Sequence, residues 1–238
     1  MNHKLDIIRF YSIIYFTFED YEALYSFVND NDSHIKHIES YKKSFEAEHE
    51  ELGLKFHGKI KDLYFTLSKS GIQNIFRTFS NHMLAVFVTH LEQLFYEYFY
   101  TLFRNSPLTM YKYVNENPKQ EGMVPLKLIA RFQSYDVIVL ELSQKAAKIA
   151  TKGNYKDIIN RIENNSKHKF PKRLLEDIYF LFETRNKIVH ESAYANLDIK
   201  KLRKMYKDVI QFIVEVGKAF KSLGYEIDGD DLLKMKSA

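Results

Sequence analysis

The stretch from Ile72 to Arg104 constrains the fold more than any other part of the sequence, because it is the most hydrophobic. Its apolar side chains recur at helical spacing and cover most of the circumference of a helix, which indicates a helix at the centre of a bundle. These positions are Phe76, Phe79, Met83, Leu84, Phe87, Val88, Leu91, Leu94, Phe95, Tyr98, Phe99 and Leu102. The chain of 238 residues has only 8 Gly and 4 Pro, which favours long helices over a many-stranded sheet. The sequence therefore predicts an all-α fold, a multi-helix bundle built around this stretch.

Capping and turn-forming residues divide the rest of the chain into further helices. A first helix is predicted from Asp6 to residue 29, and a polar helix to Ser70, where Ser70-Gly71 is expected to break it. After a connector from Asn105 to Pro125, we predict helices over 126–152, up to Glu163, from Pro171 onward, and from an Asn196 or Asp198 cap to Leu223. The acidic segment from Glu226 to Asp231 is expected to be a loose end. We therefore predict an N-terminal helical extension of unknown role (1–70), a helical domain (71–224) and a C-terminal tail (225–238).

The composition excludes several kinds of functional site. Because the chain has no cysteine, it has no disulfide scaffold, thiolate metal site or cysteine nucleophile. Glu46 and His49 have the ExxH spacing of di-iron bundles, but such a site needs a second ExxH, and no other histidine follows a glutamate by three residues. The sequence also lacks a phosphate-binding glycine loop, a nucleophile-elbow serine and an HExxH motif. We therefore expect neither a metal nor a cofactor.

The N-terminal region does not have the pattern of a membrane anchor. The apolar run from Phe10 to Phe18 is too short to span a bilayer, and no small-residue cleavage site follows it. The lack of cysteine fits a cytosolic protein. The sequence therefore predicts a soluble, cytoplasmic protein that does not contact membranes.

Charge is distributed unevenly along the chain. The formal net charge is +4, but residues 141–221 carry 18 Lys and Arg against 10 Asp and Glu. Electrostatic attraction to a polyanion is therefore plausible in this half, and a solvated lysine-rich surface is the alternative.

The hexad from Arg185 to His190 is the most unusual feature of this basic half. On a helix, Arg185 shares one apolar arc with Ile178, Phe182 and Val189. A guanidinium on the apolar side of a helix is costly unless it is paired or lines a cleft or an interface. The hexad therefore predicts a functional site, with an ion pair inside the bundle as the alternative.

The pattern Arg-Asn-x-x-x-His at Arg185, Asn186 and His190 resembles the signature of the HEPN superfamily (higher eukaryotes and prokaryotes nucleotide-binding). The segment LAVFVTHLEQLFYEYF also resembles the opening helix of HEPN domains of the RiboL-PSP type. The resemblance extends from Ile72 to about Phe220. It implies a HEPN-type bundle that acts as a metal-independent endoribonuclease (RNase), in which a ribose 2′-hydroxyl attacks the adjacent phosphodiester. It also implies a toxin–antitoxin, abortive-infection or other antiviral-defence effector, with RNA as substrate and an antitoxin or regulatory protein as partner.

The residue types suit the chemistry that the resemblance implies. Histidine can move a proton near neutral pH, and the planar fork of arginine matches the phosphoryl oxygens. His190 and Arg185 take these roles, Asn186 would bond His190 or the substrate, and Glu183 is a candidate for tuning the acidity of His190. The candidates for holding the RNA backbone are Lys172, Arg173, Lys187, Lys200, Lys201, Arg203 and Lys204.

Helical geometry indicates that one chain does not complete this site. Arg185 and His190 are five residues apart, which places them about 140° apart around a straight helix. In HEPN nucleases two copies of the helix meet at a twofold axis, so the resemblance predicts a homodimer with a composite site. The alternatives are a non-catalytic HEPN module that binds a partner protein, nucleotide or RNA, and a purely structural helical protein. In the structural alternative, His190 is only a cation that stabilises the helix C-terminus.

Overall fold

The computed structural model describes residues 3–30, 58–115, 122–124, 126–131, 134–191, 195 and 197–234, and isolated positions between 36 and 51. The α-helices are α1 (Ile7–Asn29), α2 (Gly58–Asn105), α3 (Leu126–Arg131), α4 (Tyr135–Ala150), α5 (Tyr155–Ser166), α6 (Lys172–Glu191) and α7 (Ile199–Lys221), and 3₁₀ helices span Pro107–Tyr113 and Asp230–Lys234. Two short strands, β1 (Leu5–Asp6) and β2 (Ile227–Asp228), pair in parallel. The predicted all-α, multi-helix fold is confirmed.

Helix α2 lies at the centre of the bundle. Phe87 contacts Phe18 of α1, with ring centroids 6.3 Å apart. About two turns further along α2, Phe95 lies between Phe182 of α6 and Phe212 of α7. Its ring centroid is 6.2 Å from that of Phe182 and 5.9 Å from that of Phe212. The fully buried side chains of α2 include Leu84, Val88, Leu91, Leu94, Tyr98, Phe99 and Phe103. Because α1, α4, α6 and α7 all pack against α2, this helix sets their positions.

Helix α2 extends well past the end of α1. The two helices are antiparallel, since Arg9 pairs with Glu97 at 3.5 Å and Tyr25 packs edge-on against Phe76 at 5.6 Å. Beyond Phe76, α2 continues for 18 residues to Gly58, which is about 27 Å of helix. The predicted break at Ser70-Gly71 is therefore wrong, because a glycine inside a helix costs only about 1 kcal/mol and does not end it. The polar helix predicted before residue 58 lies largely outside the described residues.

Caps at the helix starts account for the other boundaries. The helix predicted over 126–152 is divided into α3 and α4, because the Ser134 hydroxyl accepts a hydrogen bond from the Val137 N–H and starts a new helix. Asp198, one of the two caps that the sequence offers for the last helix, caps α7 by accepting from the Lys201 N–H at 2.8 Å. The connector after α2 contains the first 3₁₀ helix, with Met110 buried.

The segment predicted to be a loose end packs against the body of the protein. Leu5 of β1 pairs with Ile227 of β2, and both side chains are buried. A Cβ on Gly217 of α7 would lie 2.7 Å from the Ile7 Cδ1, so a larger residue there would require the Ile7 side chain to shift. The expectation overlooked Ile227, an apolar residue within the acidic stretch. Among the described residues, no helix has both the length and the apolar character needed to cross a bilayer.

Candidate functional site

Helix α6 places Arg185 beside Glu92, in the C-terminal half of α2. The first half of α6 is anchored by Leu174, Ile178 and Phe182, which are buried. Beyond Phe182 the side chains become more accessible, and Val189 is 51% exposed although it shares the apolar arc. The last two turns of α6 therefore present an inward-facing surface that the described part of the chain does not fully cover.

Arg185 is mostly buried but only partly satisfied. Its side chain is 21% exposed, and Nη2 lies 3.9 Å from Oε2 of Glu92 on α2. Nη1 donates a hydrogen bond to Oδ1 of Asn186 at 3.1 Å. Within the described residues, the buried Nε has no hydrogen-bonding partner. The guanidinium thus has a long ion pair inside the bundle, which was the alternative to a functional site. It also keeps N–H donors that a ligand could use.

A tyrosine fixes the carboxylate that faces Arg185. The hydroxyl of Tyr155, the first residue of α5, donates to Oε1 of Glu92 at 2.6 Å. Burial, and then the hydrogen bond to Glu92, raise the pKa of this hydroxyl, so it stays protonated and donates at neutral pH. The Tyr155 ring stacks on Phe182 at a centroid distance of 3.5 Å. Helices α2, α5 and α6 therefore meet at one polar cluster of Arg185, Asn186, Glu92 and Tyr155.

His190 lies apart from this cluster. It is exposed in the last turn of α6, where a cation interacts favourably with the helix dipole. Within the ranges that the structure describes, it has no hydrogen bond or ion pair. The Oδ1 of Asn186 accepts from Arg185 instead, and Glu183 is exposed. A single chain therefore does not assemble Arg185 and His190 into one hydrogen-bonded unit, in keeping with their angular separation.

The cations proposed to hold RNA fall into two groups. Lys172, Arg173, Lys187, Lys200 and Lys201 are exposed. Arg203 donates to Glu22 of α1 at 2.6 Å, and Lys204 to Asp177 of α6 at 2.5 Å and to Asp208 at 3.0 Å. These last two cations are therefore already neutralised. Helical spacing could reveal the pair between Lys204 and Asp208, which are four residues apart, but not the pairs with Glu22 and Asp177, which are distant in the chain.

The groove between α6 and α7 is separate from the hexad. It has a volume of about 550 Å³ and is lined by Leu174, Tyr206, Ile210 and Val214, with Arg173 and Lys207 among the charged residues. The groove lies at the beginning of α6, where Leu174 lines it. His190 is 16 residues beyond Leu174, which is about 24 Å along the helix axis. The groove is therefore separate from the end of the hexad that carries His190.

Metal ligands do not cluster in the described part of the chain. There, no group of three or more His, Cys, Asp or Glu side chains has the proximity that an ion requires. The Glu46-to-His49 motif lies outside the described residues.

Glu92 and Tyr155 are the members of the cluster that sequence reasoning missed. Glu92 does carry a signal, since it is a charged residue in the most hydrophobic stretch and lies beside Leu91 and Phe95, which are buried. Tyr155 carries none, because nothing in the order of residues shows that α5 begins beside α2. Only the packing of the helices brings the two together.

Comparison with known proteins adds no relative. The sequence matches no family model. No curated protein and no solved structure matches it significantly. The assignment of function therefore depends on the residues of the site.

Proposed function

We propose that this protein is a metal-independent endoribonuclease of the HEPN type, which uses Arg185 and His190 with support from Asn186. The observation that carries the proposal is the guanidinium of Arg185, which is mostly buried although its Nε lacks a partner within the described residues. A buried donor without an acceptor costs about 1–3 kcal/mol. A phosphate group offers acceptors in the geometry that a guanidinium fits. The site is thus suited to an anionic ligand.

The reaction requires a proton to be removed from one oxygen and supplied to another, and a cation to stabilise the charge on the phosphoryl group. The ribose 2′-hydroxyl loses its proton and attacks the adjacent phosphorus, and the bond to the 5′-oxygen breaks, which leaves a 2′,3′-cyclic phosphate and a 5′-hydroxyl. His190 takes the proton from the 2′-hydroxyl and then supplies it to the departing 5′-oxygen, and Arg185 stabilises the charge on the phosphoryl oxygens. The exposure of His190 leaves its imidazole accessible to a substrate.

The active form in this proposal is a homodimer. One chain holds Arg185 and His190 about 140° apart around α6, so a second α6 is needed to complete the cleft. The 51% exposure of Val189, an apolar residue on the core-facing arc, supports an interface at this end of the helix. The cellular role that follows is a cytoplasmic toxin or antiviral-defence effector, restrained by an antitoxin or regulatory protein. Lys172, Arg173 and Lys187 are the exposed cations of α6 that would hold the RNA backbone.

The proposal is tested by incubating the protein with RNA of mixed sequence in excess chelator. We expect wild-type protein to cleave, and both His190→Ala and Arg185→Ala to lose roughly 100-fold or more of the rate. His82→Ala, which removes an exposed histidine of α2, is the matched control and should cleave normally. Intact RNA with wild-type protein, or unchanged cleavage by His190→Ala, would contradict the proposal. A monomeric mass for protein that still cleaves would contradict the composite site.

A non-catalytic module is the second candidate, and the separation of the exposed His190 from the cluster around Arg185 favours it. In this case the hexad binds RNA, a nucleotide or a partner protein without turnover. Wild-type protein would then bind RNA and leave it intact, and Arg185→Ala would weaken the binding.

A further inference from the structure

We infer that Glu92 and Tyr155 are positioning residues of the Arg185 site: Tyr155 holds the Glu92 carboxylate, and Glu92 orients the Arg185 guanidinium toward a phosphate. This inference rests on the proposed function, and it adds two residues from α2 and α5 that the Arg-to-His motif does not contain.

The carboxylate of Glu92 is held on one side and available on the other. Its Oε1 accepts the short hydrogen bond from Tyr155 at 2.6 Å, and its Oε2 faces Nη2 of Arg185 at 3.9 Å. The first distance is that of a strong hydrogen bond to an anion, whereas the second is an ion pair without a hydrogen bond. Glu92 therefore attracts the guanidinium without using the protons of Nη2.

This geometry differs from that of a structural ion pair. The pair between Arg203 and Glu22 has its nitrogen and oxygen at 2.6 Å, which uses the donor fully. At Arg185, only Nη1 has a hydrogen bond, to Asn186, within the described residues. A guanidinium that is oriented but not saturated can still donate to two phosphoryl oxygens.

Tyr155 has a fixed position from which to hold Glu92. Its ring stacks on Phe182, three residues before Arg185 on α6, with an interplanar angle of 10°. The start of α5 is held by Asn154, whose side chain accepts from the Asp157 N–H at 2.9 Å. One helix turn further on, Arg161 donates to the Ala150 carbonyl at 2.7 Å and ties α5 to the end of α4. Tyr155 and Glu92, the two side chains between α5 and Arg185, therefore each have two contacts that restrict their rotation.

The kinetic test compares Glu92→Gln, Glu92→Asp and Tyr155→Phe in RNA cleavage. Glu92→Gln keeps the shape and the acceptor for Tyr155 but removes the charge, so we expect kcat to fall roughly tenfold or more with little change in KM. Glu92→Asp should recover part of the loss, and Tyr155→Phe should lower kcat less than Glu92→Gln. The double variant Glu92→Gln with Tyr155→Phe should have the same kcat as Glu92→Gln alone, because Tyr155 acts through Glu92. Glu97→Gln, which alters another glutamate of α2 that pairs with an arginine, should leave kcat unchanged.

A second measurement does not depend on turnover. In a nitrogen-15 NMR spectrum, the Nε–H signal of Arg185 is identified by its absence in Arg185→Ala. We expect it to exchange slowly with water in wild-type protein and in Glu97→Gln, and faster in Glu92→Gln and Tyr155→Phe.

The two measurements separate the possible failures. If wild-type protein does not cleave RNA but the exchange rates change as expected, the proposed function fails and the positioning role stands. If cleavage requires Arg185 and His190 while Glu92→Gln changes neither kcat nor the exchange rate, the positioning role alone is overturned. A rise in kcat for Glu92→Gln would also overturn it, because Glu92 would then compete with the substrate for Arg185.

Discussion

At the scale of single residues, the side chain of Arg185 shows what sequence alone reveals about this site. Its place on the apolar arc of α6 follows from residue spacing, and the structure does bury most of the side chain. Its partner Glu92 lies 93 positions earlier in the sequence, so helical periodicity could not identify the pair. Asn186 was expected to bond His190 or the substrate, yet its Oδ1 accepts from Arg185. Local spacing thus locates a charged residue, while its neighbours depend on tertiary packing.

The pH dependence of stability tests the hydrogen bond of Tyr155. Burial and the contact with Glu92 raise the pKa of its hydroxyl, so the folded protein retains the proton at a pH where the unfolded chain loses it. The resulting stabilisation is complete below the unfolded pKa of about 10 and is lost as the pH rises above it. We expect the free energy of unfolding to fall less steeply above that pH in Tyr155→Phe than in wild-type protein. Urea denaturation at pH 8 and at high pH measures this difference. Equal slopes in the two proteins would show that the hydroxyl is not held in the fold.

At the scale of helices, caps decide where each element starts. The sequence names Asn196 or Asp198 as the cap of the last helix, and the structure has Asp198 in that place. The sequence does not anticipate Ser134, because the residues around it continue an apolar pattern that a single long helix would also show. At Gly71 the error is the reverse: the sequence predicts a helix end there, whereas Gly71 lies inside α2. Helix periodicity is therefore recovered from sequence more reliably than helix ends, because a cap depends on a local geometry that several residues could adopt.

Substitution of Asp198 measures what the cap contributes to α7. Asp198→Ala removes the acceptor for the Lys201 N–H and should lower the free energy of unfolding by about 1 kcal/mol. Asp198→Asn keeps an acceptor in the same place and should retain most of the stability. Chemical denaturation of the three proteins gives the comparison. Equal losses in both variants would mean that the charge, and not the hydrogen bond, stabilises the helix start.

At the scale of the whole molecule, the two ends of the described chain meet. Strand β1 leads directly into α1, and β2 follows α7, so their pairing ties the first helix to the last. The close approach of α7 to Ile7 at Gly217 reinforces the same junction. Sequence reasoning recovered the all-α class and the central helix, because both depend on the apolar pattern of α2. It missed the junction, since a two-residue strand has no periodicity to detect.

Ile227 tests whether the C-terminal segment contributes to stability. The side chain is 7% exposed, and truncation of a buried isoleucine to alanine typically costs about 2–5 kcal/mol. We expect Ile227→Ala to lower the free energy of unfolding by about 2 kcal/mol, toward the lower limit because β2 lies at the edge of the core. Asp228→Ala, at the neighbouring exposed position, should change stability little. Thermal or chemical denaturation measures the stability of the two variants. An unchanged free energy of unfolding in Ile227→Ala would show that the C-terminal segment does not contribute to stability.

Helix α2 also has a mechanical consequence. Glu92, which faces Arg185, belongs to the same uninterrupted helix that extends about 27 Å beyond Phe76. Each residue advances an α-helix by about 100° and 1.5 Å. The direction in which a residue near Gly58 faces, relative to Glu92, is therefore fixed by the number of residues between them. Inserting one residue between Gly58 and Phe76 would turn the distal end by that angle while the packed part of the bundle stayed in place. The direction in which the distal end faces is therefore set relative to Arg185 by the number of helical residues between that end and Glu92.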